Sequence, residues 1–195
     1  MDVTPMSIDG AYRITPERWD DDRGCRYETL EEHVGRPFRV AQVSFSVSRR
    51  NTVRGIHATT VPPGQGTIVT CVRGRVLAIA VDLRVGSPTF GCYDTTDQDE
   101  SSGVSVYVTD GIGHAFLART EGACLNYLWA QEPVPDKTIE VDALDPALNL
   151  PWRLAGTPIM SAEDRDAPTL AEAAAKGLLP TYEDCLRFYA AGSKA

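Results

Sequence analysis

Acid–base chemistry near neutral pH needs a side chain that gains and loses a proton there, and histidine is the residue whose ordinary pKa lies in that range. The chain has three histidines, His33, His57 and His114. His57 closes the run Val53-Arg54-Gly55-Ile56-His57, just before the loop Val61-Pro62-Pro63-Gly64-Gln65-Gly66. His114 follows the glycine turn Gly111-Ile112-Gly113 and leads into Ala115-Phe116. His33 comes after two glutamates in a polar stretch and reads as a solvated side chain. A lone strand histidine is more often structural than catalytic, so the neighbours of His57 and His114 must decide their roles. A metal site in a β-rich protein would need two or three His or Glu ligands close together, commonly His-x-His with a later Glu. Ala58, Thr59 and Thr60 follow His57, and His114 alone cannot complete a site, so no metal and no other cofactor is expected.

The elements that must position these side chains are mostly strands. Between Phe38 and about Trp129, short runs rich in Val, Ile and Thr alternate with turn residues. Strands are expected at Phe38–Ser48, Val53–Ala58, Thr67–Val72, Arg75–Leu83, Val104–Val108, His114–Ala118 and Ala123–Trp129. Arg73-Gly74, between two of these runs, reads as the turn of a tight hairpin. Many short strands at close spacing suggest an all-β sandwich or double-sheet barrel rather than an α/β fold. The last third differs. Ser161-Ala162-Glu163-Asp164 and Thr169-Leu170-Ala171-Glu172 are helix-start patterns, Gly177 should stop the second helix, and Thr181 to Ala190 reads as a third. The expected organisation is one domain over 1–195, with a β body to about 152 and a helical cap from about 153.

Composition excludes several classes. At 195 residues with 43% hydrophobic residues, the chain suits one globular domain and is too apolar for a disordered one. Its 27 acidic against 19 basic residues, a formal net charge of -8, argue against nucleic-acid or membrane-surface binding. No apolar run is long enough to span a bilayer. The N-terminus has neither a basic nor an apolar leader region, and the five cysteines (25, 71, 92, 124 and 185) contain no CxxC pair. Reduced thiols in a cytoplasm are the expected state, with Cys71 and Cys124 as small core residues.

Taken in order, a set of motifs resembles the dTDP-4-dehydrorhamnose 3,5-epimerase family, and most closely its antibiotic-pathway branch. These are Asp21-Asp22-Arg23-Gly24, Gln42 with Ser46 and Ser48, Val53-Arg54-Gly55-Ile56-His57, Cys71-Val72-Arg73-Gly74, the stretch from Val81 to Gly91, Gly113-His114-Ala115-Phe116, Tyr127, Leu144-Asp145-Pro146, Trp152, Met160-Ser161-Ala162-Glu163-Asp164 and the tail from Gly177 to Tyr182. The resemblance implies a cupin-like double-stranded β-helix (jelly roll) with short C-terminal helices. It also implies a homodimer in which an N-terminal segment reaches the neighbouring subunit's site, and a dTDP-4-keto-6-deoxy sugar as substrate. Epimerisation beside a ketone needs a base, an opposing acid and stabilisation of the enolate between them. The resemblance casts His57 as base, Asp164 as its carboxylate partner and Tyr127, thirteen residues after His114, as acid. Arg23 and Arg54 match phosphate-contacting positions, Glu28 and Gln42 match polar positions of the nucleotide site, and His114 and Thr67 are further substrate-binding candidates. Taken alone, Asp164 reads as a helix-start acid, Tyr127 as a strand aromatic and Arg23 as part of a surface turn.

Two positions depart from the family pattern. Thr67 stands where a lysine usually follows the Pro-Gly-Gln loop, and a neutral hydroxyl donates a hydrogen bond about half as strong as a charged donor. Glu132 and Pro133 occupy the region of the usual base-stacking aromatic, with Trp129 nearby. The chain is therefore expected to be an epimerase at C3, or at both C3 and C5. The alternatives are a relative repurposed as an isomerase or cyclase of a non-nucleotide carbonyl compound, and a non-catalytic sugar-nucleotide binding module.

Overall fold

The computed structural model describes residues 1–30 and 38–192. His33 lies outside the described residues. The strands are β1 (Asp2–Pro5), β2 (Ala11–Thr15), β3 (Arg18–Asp21), β4 (Gly24–Tyr27), β5 (Gln42–Ser48), β6 (Val53–Thr59), β7 (Thr67–Arg73), β8 (Arg75–Asp82), β9 (Tyr93–Asp99), β10 (Ser105–Val108), β11 (Ile112–Ala118), β12 (Ala123–Trp129) and β13 (Thr138–Glu140). Three short helices follow: α1 (Ala162–Asp166), α2 (Leu170–Ala175) and α3 (Tyr182–Gly192). The protein is all-β, as the turn-punctuated sequence implies.

A six-stranded sheet in the order β1-β2-β10-β7-β12-β5 faces a five-stranded sheet in the order β13-β6-β11-β8-β9, and β3-β4 forms a separate ribbon. Val76, Ala78 and Ala80 of β8, with Phe116 and Ala118 of β11, meet Val69 and Cys71 of β7, Val106 and Val108 of β10, and Leu125 of β12. These side chains fill the jelly-roll interior. The alternate residues of β8, Leu77, Ile79 and Val81, point the other way and pack against Ile139, Val141, Trp152 and Leu179 of the C-terminal segment. Burial on both faces explains why β8 reads as an unbroken apolar run.

The expected hairpin at Arg73-Gly74 is not one. β7 pairs with β10 and β12, whereas β8 pairs with β9 and β11, so Gly74 carries the chain from one sheet to the other. Jelly-roll connections cross between sheets, and a two-residue turn signal cannot distinguish a crossing from a return. β5 begins at Gln42 rather than Phe38, and β11 begins two residues earlier than expected, at Ile112. Cys71 is buried, and its thiol is pushed up to about 11 by that burial, whereas Cys124 is only half-buried. The helix starts behave as their sequences suggest. Ser161 caps α1, accepting from the Asp164 backbone N–H, and Thr169 with Glu172 forms a reciprocal capping box on α2.

Candidate active site

One end of the space between the two sheets is open and forms a cavity of about 330 Å³. Strand alternation builds its polar wall. On β5, Ser44 and Ser46 line the cavity, while Val43, Phe45 and Val47 are exposed, with Phe45 also bordering the cavity. Tyr127 and Trp129 of β12 and Thr67 of β7 also line it. The Tyr127 and Trp129 rings stack, with centroids 5.4 Å apart, and Trp129 Nε1 donates to Ser44 Oγ at 2.8 Å. Tyr127 Oη lies 3.3 Å from Ser46 Oγ. Burial pushes the Tyr127 phenol above its ordinary pKa, against the smaller lowering effects of Ser46 and the Arg54 charge, so it is protonated at neutral pH.

The opposite wall comes from β6 and β11, where His57 and His114 are direct cross-strand partners. Arg54 and His57 both line the cavity although they are three residues apart, which a regular strand of period two forbids. The ladder resolves this. His114 pairs with His57 and Phe116 with Arg54, so β6 spends one extra residue where β11 spends none. Gly55 takes up the bulge at φ +104, and a Cβ there would lie 2.5 Å from the His114 carbonyl oxygen, so only glycine fits.

Asp164 comes from α1. Its side chain is 4% exposed against 44% for His57, and Oδ1 sits 2.6 Å from His57 Nε2. The segment before α1 is tied to the barrel by Val53 N–H donating to the Ile159 carbonyl and Ile159 N–H to that of Asn51. Burial disfavours the charged Asp164, but the hydrogen bond and charge interaction with His57, with help from Ser161 and the Gly55 N–H, outweigh it. The carboxyl is thereby held below its ordinary pKa. An ionised Asp164 accepts the proton on Nε2 and leaves Nδ1 as the basic ring nitrogen. His114 is the opposite case. It is buried, its Nε2 has no hydrogen-bond partner among the described residues, and burial, with the nearby His57, pushes its pKa down to about 3.

Six of the nine expected site residues thus converge: His57, Asp164, Tyr127, Arg54, Thr67 and His114. Arg23, Glu28 and Gln42 do not line the cavity. Arg23 is exposed on the β3-β4 turn and paired with Asp21, and Glu28 pairs with Arg26. Gln42 sits opposite Trp129 in the β5-β12 ladder, with its Oε1 buried. Thr67 Oγ1 donates to the Gln65 carbonyl at 3.1 Å. Arg54 is the cavity's one arginine or lysine among the described residues, with its Nε donating to Ser48 Oγ. No group of three or more His, Cys, Asp or Glu among the described residues could hold a metal ion.

A sequence model described as dTDP-4-dehydrorhamnose 3,5-epimerase matches residues 5–172. The chain belongs to the dTDP-4-dehydrorhamnose 3,5-epimerase family. A relative from Streptomyces niveus, named dTDP-4-dehydrorhamnose 3-epimerase, is 47% identical over 95% of this chain and 91% of its own. The crystal structure of NovW, a 4-keto-6-deoxy sugar epimerase of the novobiocin gene cluster of Streptomyces spheroides, superposes with a TM-score of 0.91 at 47% identity, covering 95% of each chain. ChmJ, a 3'-monoepimerase from Streptomyces bikiniensis solved with dTDP-quinovose, gives 0.92 at 41% identity over 96% of this chain and 98% of its own. As a member of the family the chain is a carbohydrate epimerase with the cupin-type jelly roll. None of these relatives bears a name that supports a cyclase or a non-catalytic binding module.

Several contributors to the cavity were missed or left open in the sequence, among them Ser44, Thr59, Gln65, Thr138, the direction of Trp129 and the turn Thr109–Gly111. Ser44 was findable, because Ser44, Ser46 and Ser48 alternate with Val43, Phe45 and Val47, the signature of a strand with one small polar face.

Proposed function

We propose that the protein epimerises a dTDP-4-keto-6-deoxyhexose at C3, or at C3 and C5, in a deoxysugar branch of antibiotic biosynthesis. The observation that carries this reading is that His57, hydrogen-bonded to Asp164, shares a cavity with a protonated Tyr127 in a chain of this family. His57 removes the proton beside the ketone, Asp164 holds the ring and balances the imidazolium, and Tyr127 returns a proton from the other side. His114 and Thr67 offer neutral contacts to the sugar. Arg54 draws in the diphosphate, and Trp129 supplies the aromatic surface absent at Glu132 and Pro133.

The active unit in this proposal is a cytoplasmic homodimer. Edge strand β5 exposes Val43, Phe45 and Val47, with Phe45 64% exposed, an apolar face suited to a second copy. The β3-β4 ribbon holds Arg23 and Glu28 away from their own cavity, as a segment that completes the neighbouring subunit's nucleotide site together with Gln42 would do. All five cysteines are free, which fits a reducing compartment, and no helix among the described residues is long and apolar enough to cross a membrane.

Incubation with dTDP-4-keto-6-deoxyglucose in heavy water tests the reading. Deuterium at C3 alone is the signature of a 3-epimerase, and at C3 and C5 of a 3,5-epimerase. Absence of exchange at both carbons rejects the proposal.

A further inference from the structure

The C-terminal helix packs directly against the cavity's rim. Tyr182, Cys185 and Tyr189 share one face of α3 by helical spacing. The Tyr182 ring lies 5.0 Å from the Arg84 guanidinium, which is fully buried and clamped by both oxygens of Asp82 at 2.8 and 2.9 Å. Arg84 and Cys185 close around Gly111, where a Cβ would come within 2.6 Å of Arg84 Cγ and 2.8 Å of Cys185 Sγ. One turn further along α3, Tyr189 Oη donates to the Asp110 carbonyl at 2.6 Å and lies 3.0 Å from Thr109 Oγ1. Burial pushes the Tyr189 phenol well above its ordinary pKa, so it stays a donor.

The residues so held, Thr109, Asp110 and Gly111, line the cavity and run straight into Ile112 and His114. The same helix end reaches the other lip. A Cβ on Gly64 would lie 2.2 Å from Asp110 Oδ1 and 3.1 Å from the Phe188 ring, and the next residue, Gln65, also lines the cavity. Gln65 is itself fixed by Thr59 and the Gln131 carbonyl. Helix, turn and loop therefore form one packed unit around the end of the cavity that adjoins the two histidines.

We infer that Tyr189 is a positioning residue for substrate: its hydroxyl sets the Thr109–Gly111 turn against the sugar, so that α3 determines how closely the cavity grips the hexose. The inference rests on the epimerase reading of the cavity. Tyr189→Phe keeps the ring and removes the hydroxyl. The expected result is a KM for dTDP-4-keto-6-deoxyglucose raised roughly three- to ten-fold, the effect of one hydrogen bond. The change in kcat should stay within about two-fold, since the turn acts on bound substrate and transition state alike. Affinity for dTDP, measured by calorimetry, should be unchanged, and amide exchange across 109–113 should rise. An unchanged KM, an equal loss of dTDP affinity, or a lowered melting temperature with unaltered kinetics overturns the positioning role. Wild-type enzyme in the same assay separates the two claims. An active wild type with an unaltered Tyr189→Phe KM removes only the inference, whereas an inert wild type removes the epimerase reading and the inference together.

Discussion

His57 and His114 sit opposite each other on neighbouring strands, on the same face of the same sheet, yet they are different chemical objects. His57 is 44% exposed on its side chain and has a carboxylate 2.6 Å from one ring nitrogen. His114 is buried, lacks a hydrogen-bond partner at Nε2 among the described residues, and stays neutral down to about pH 3. Position in the sheet does not separate them. The carboxylate does, and it arrives from α1 rather than from the barrel. The difference teaches that the jelly roll supplies a pair of imidazoles and the C-terminal segment gives only one of them a carboxylate partner, the one assigned the role of base in the proposed mechanism.

The largest test removes the proposed base. His57→Ala should lower epimerisation by about 10³-fold or more in the deuterium-exchange assay, while His114→Asn should retain proton abstraction at a reduced rate. If both variants lose activity equally, the asymmetry between the two histidines is wrong. Next comes Asp164→Asn, which preserves shape but removes the charge that orients the ring and stabilises the imidazolium. The expected loss in kcat is about 10²-fold, and near wild-type turnover would detach Asp164 from the mechanism.

The smallest effect sharpens the other side. The His114 pKa falls from 6.5 to about 3 on folding, so between these values the unfolded chain binds a proton that the folded one refuses. Stability therefore decreases as pH drops from 6.5 toward 3, by up to about 1.4 kcal/mol per pH unit, and is unaffected by this group above 6.5. Denaturant midpoints between pH 6.5 and 5, above the carboxylate range, compared between the wild type and the His114 variant isolate the effect. His114→Asn should flatten that slope, and an unchanged slope would place a proton on His114 in the folded state.

Much of this comparison was legible in the sequence. His57 and His114 stand out because histidines are few, and Ser161 announces the helix that carries Asp164. Asp164 itself looks like any first-turn acid until the tertiary fold brings it to β6, so only the family resemblance marks it as a partner. Among the strands, β5 to β8 and β10 to β12 were readable from Val, Ile and Thr content. β9, Tyr-Asp-Thr-Thr-Asp-Gln-Asp, was not, because an edge strand needs little apolar surface and this one is almost wholly polar. The β3-β4 ribbon is exposed along nearly its whole length, and β13 has three residues, so neither offers hydrophobic periodicity to detect. The β6 bulge was invisible for another reason: Gly55 looks like punctuation, and only the ladder shows that it lets Arg54 and His57 share a face.

The two halves of the proposed base, His57 and Asp164, are 107 residues apart in the chain. His57 lies in the first third of the polypeptide to leave the ribosome, whereas Asp164 follows the last strand. A nascent chain that stops short of α1 carries every described strand of the barrel and the imidazole, but no carboxylate to hold it. If Asp164 plays its proposed part, full turnover is acquired late in synthesis, when the segment that carries it docks. In the proposed mechanism, proton abstraction would thus report that synthesis has passed α1 and that this segment has docked on β6.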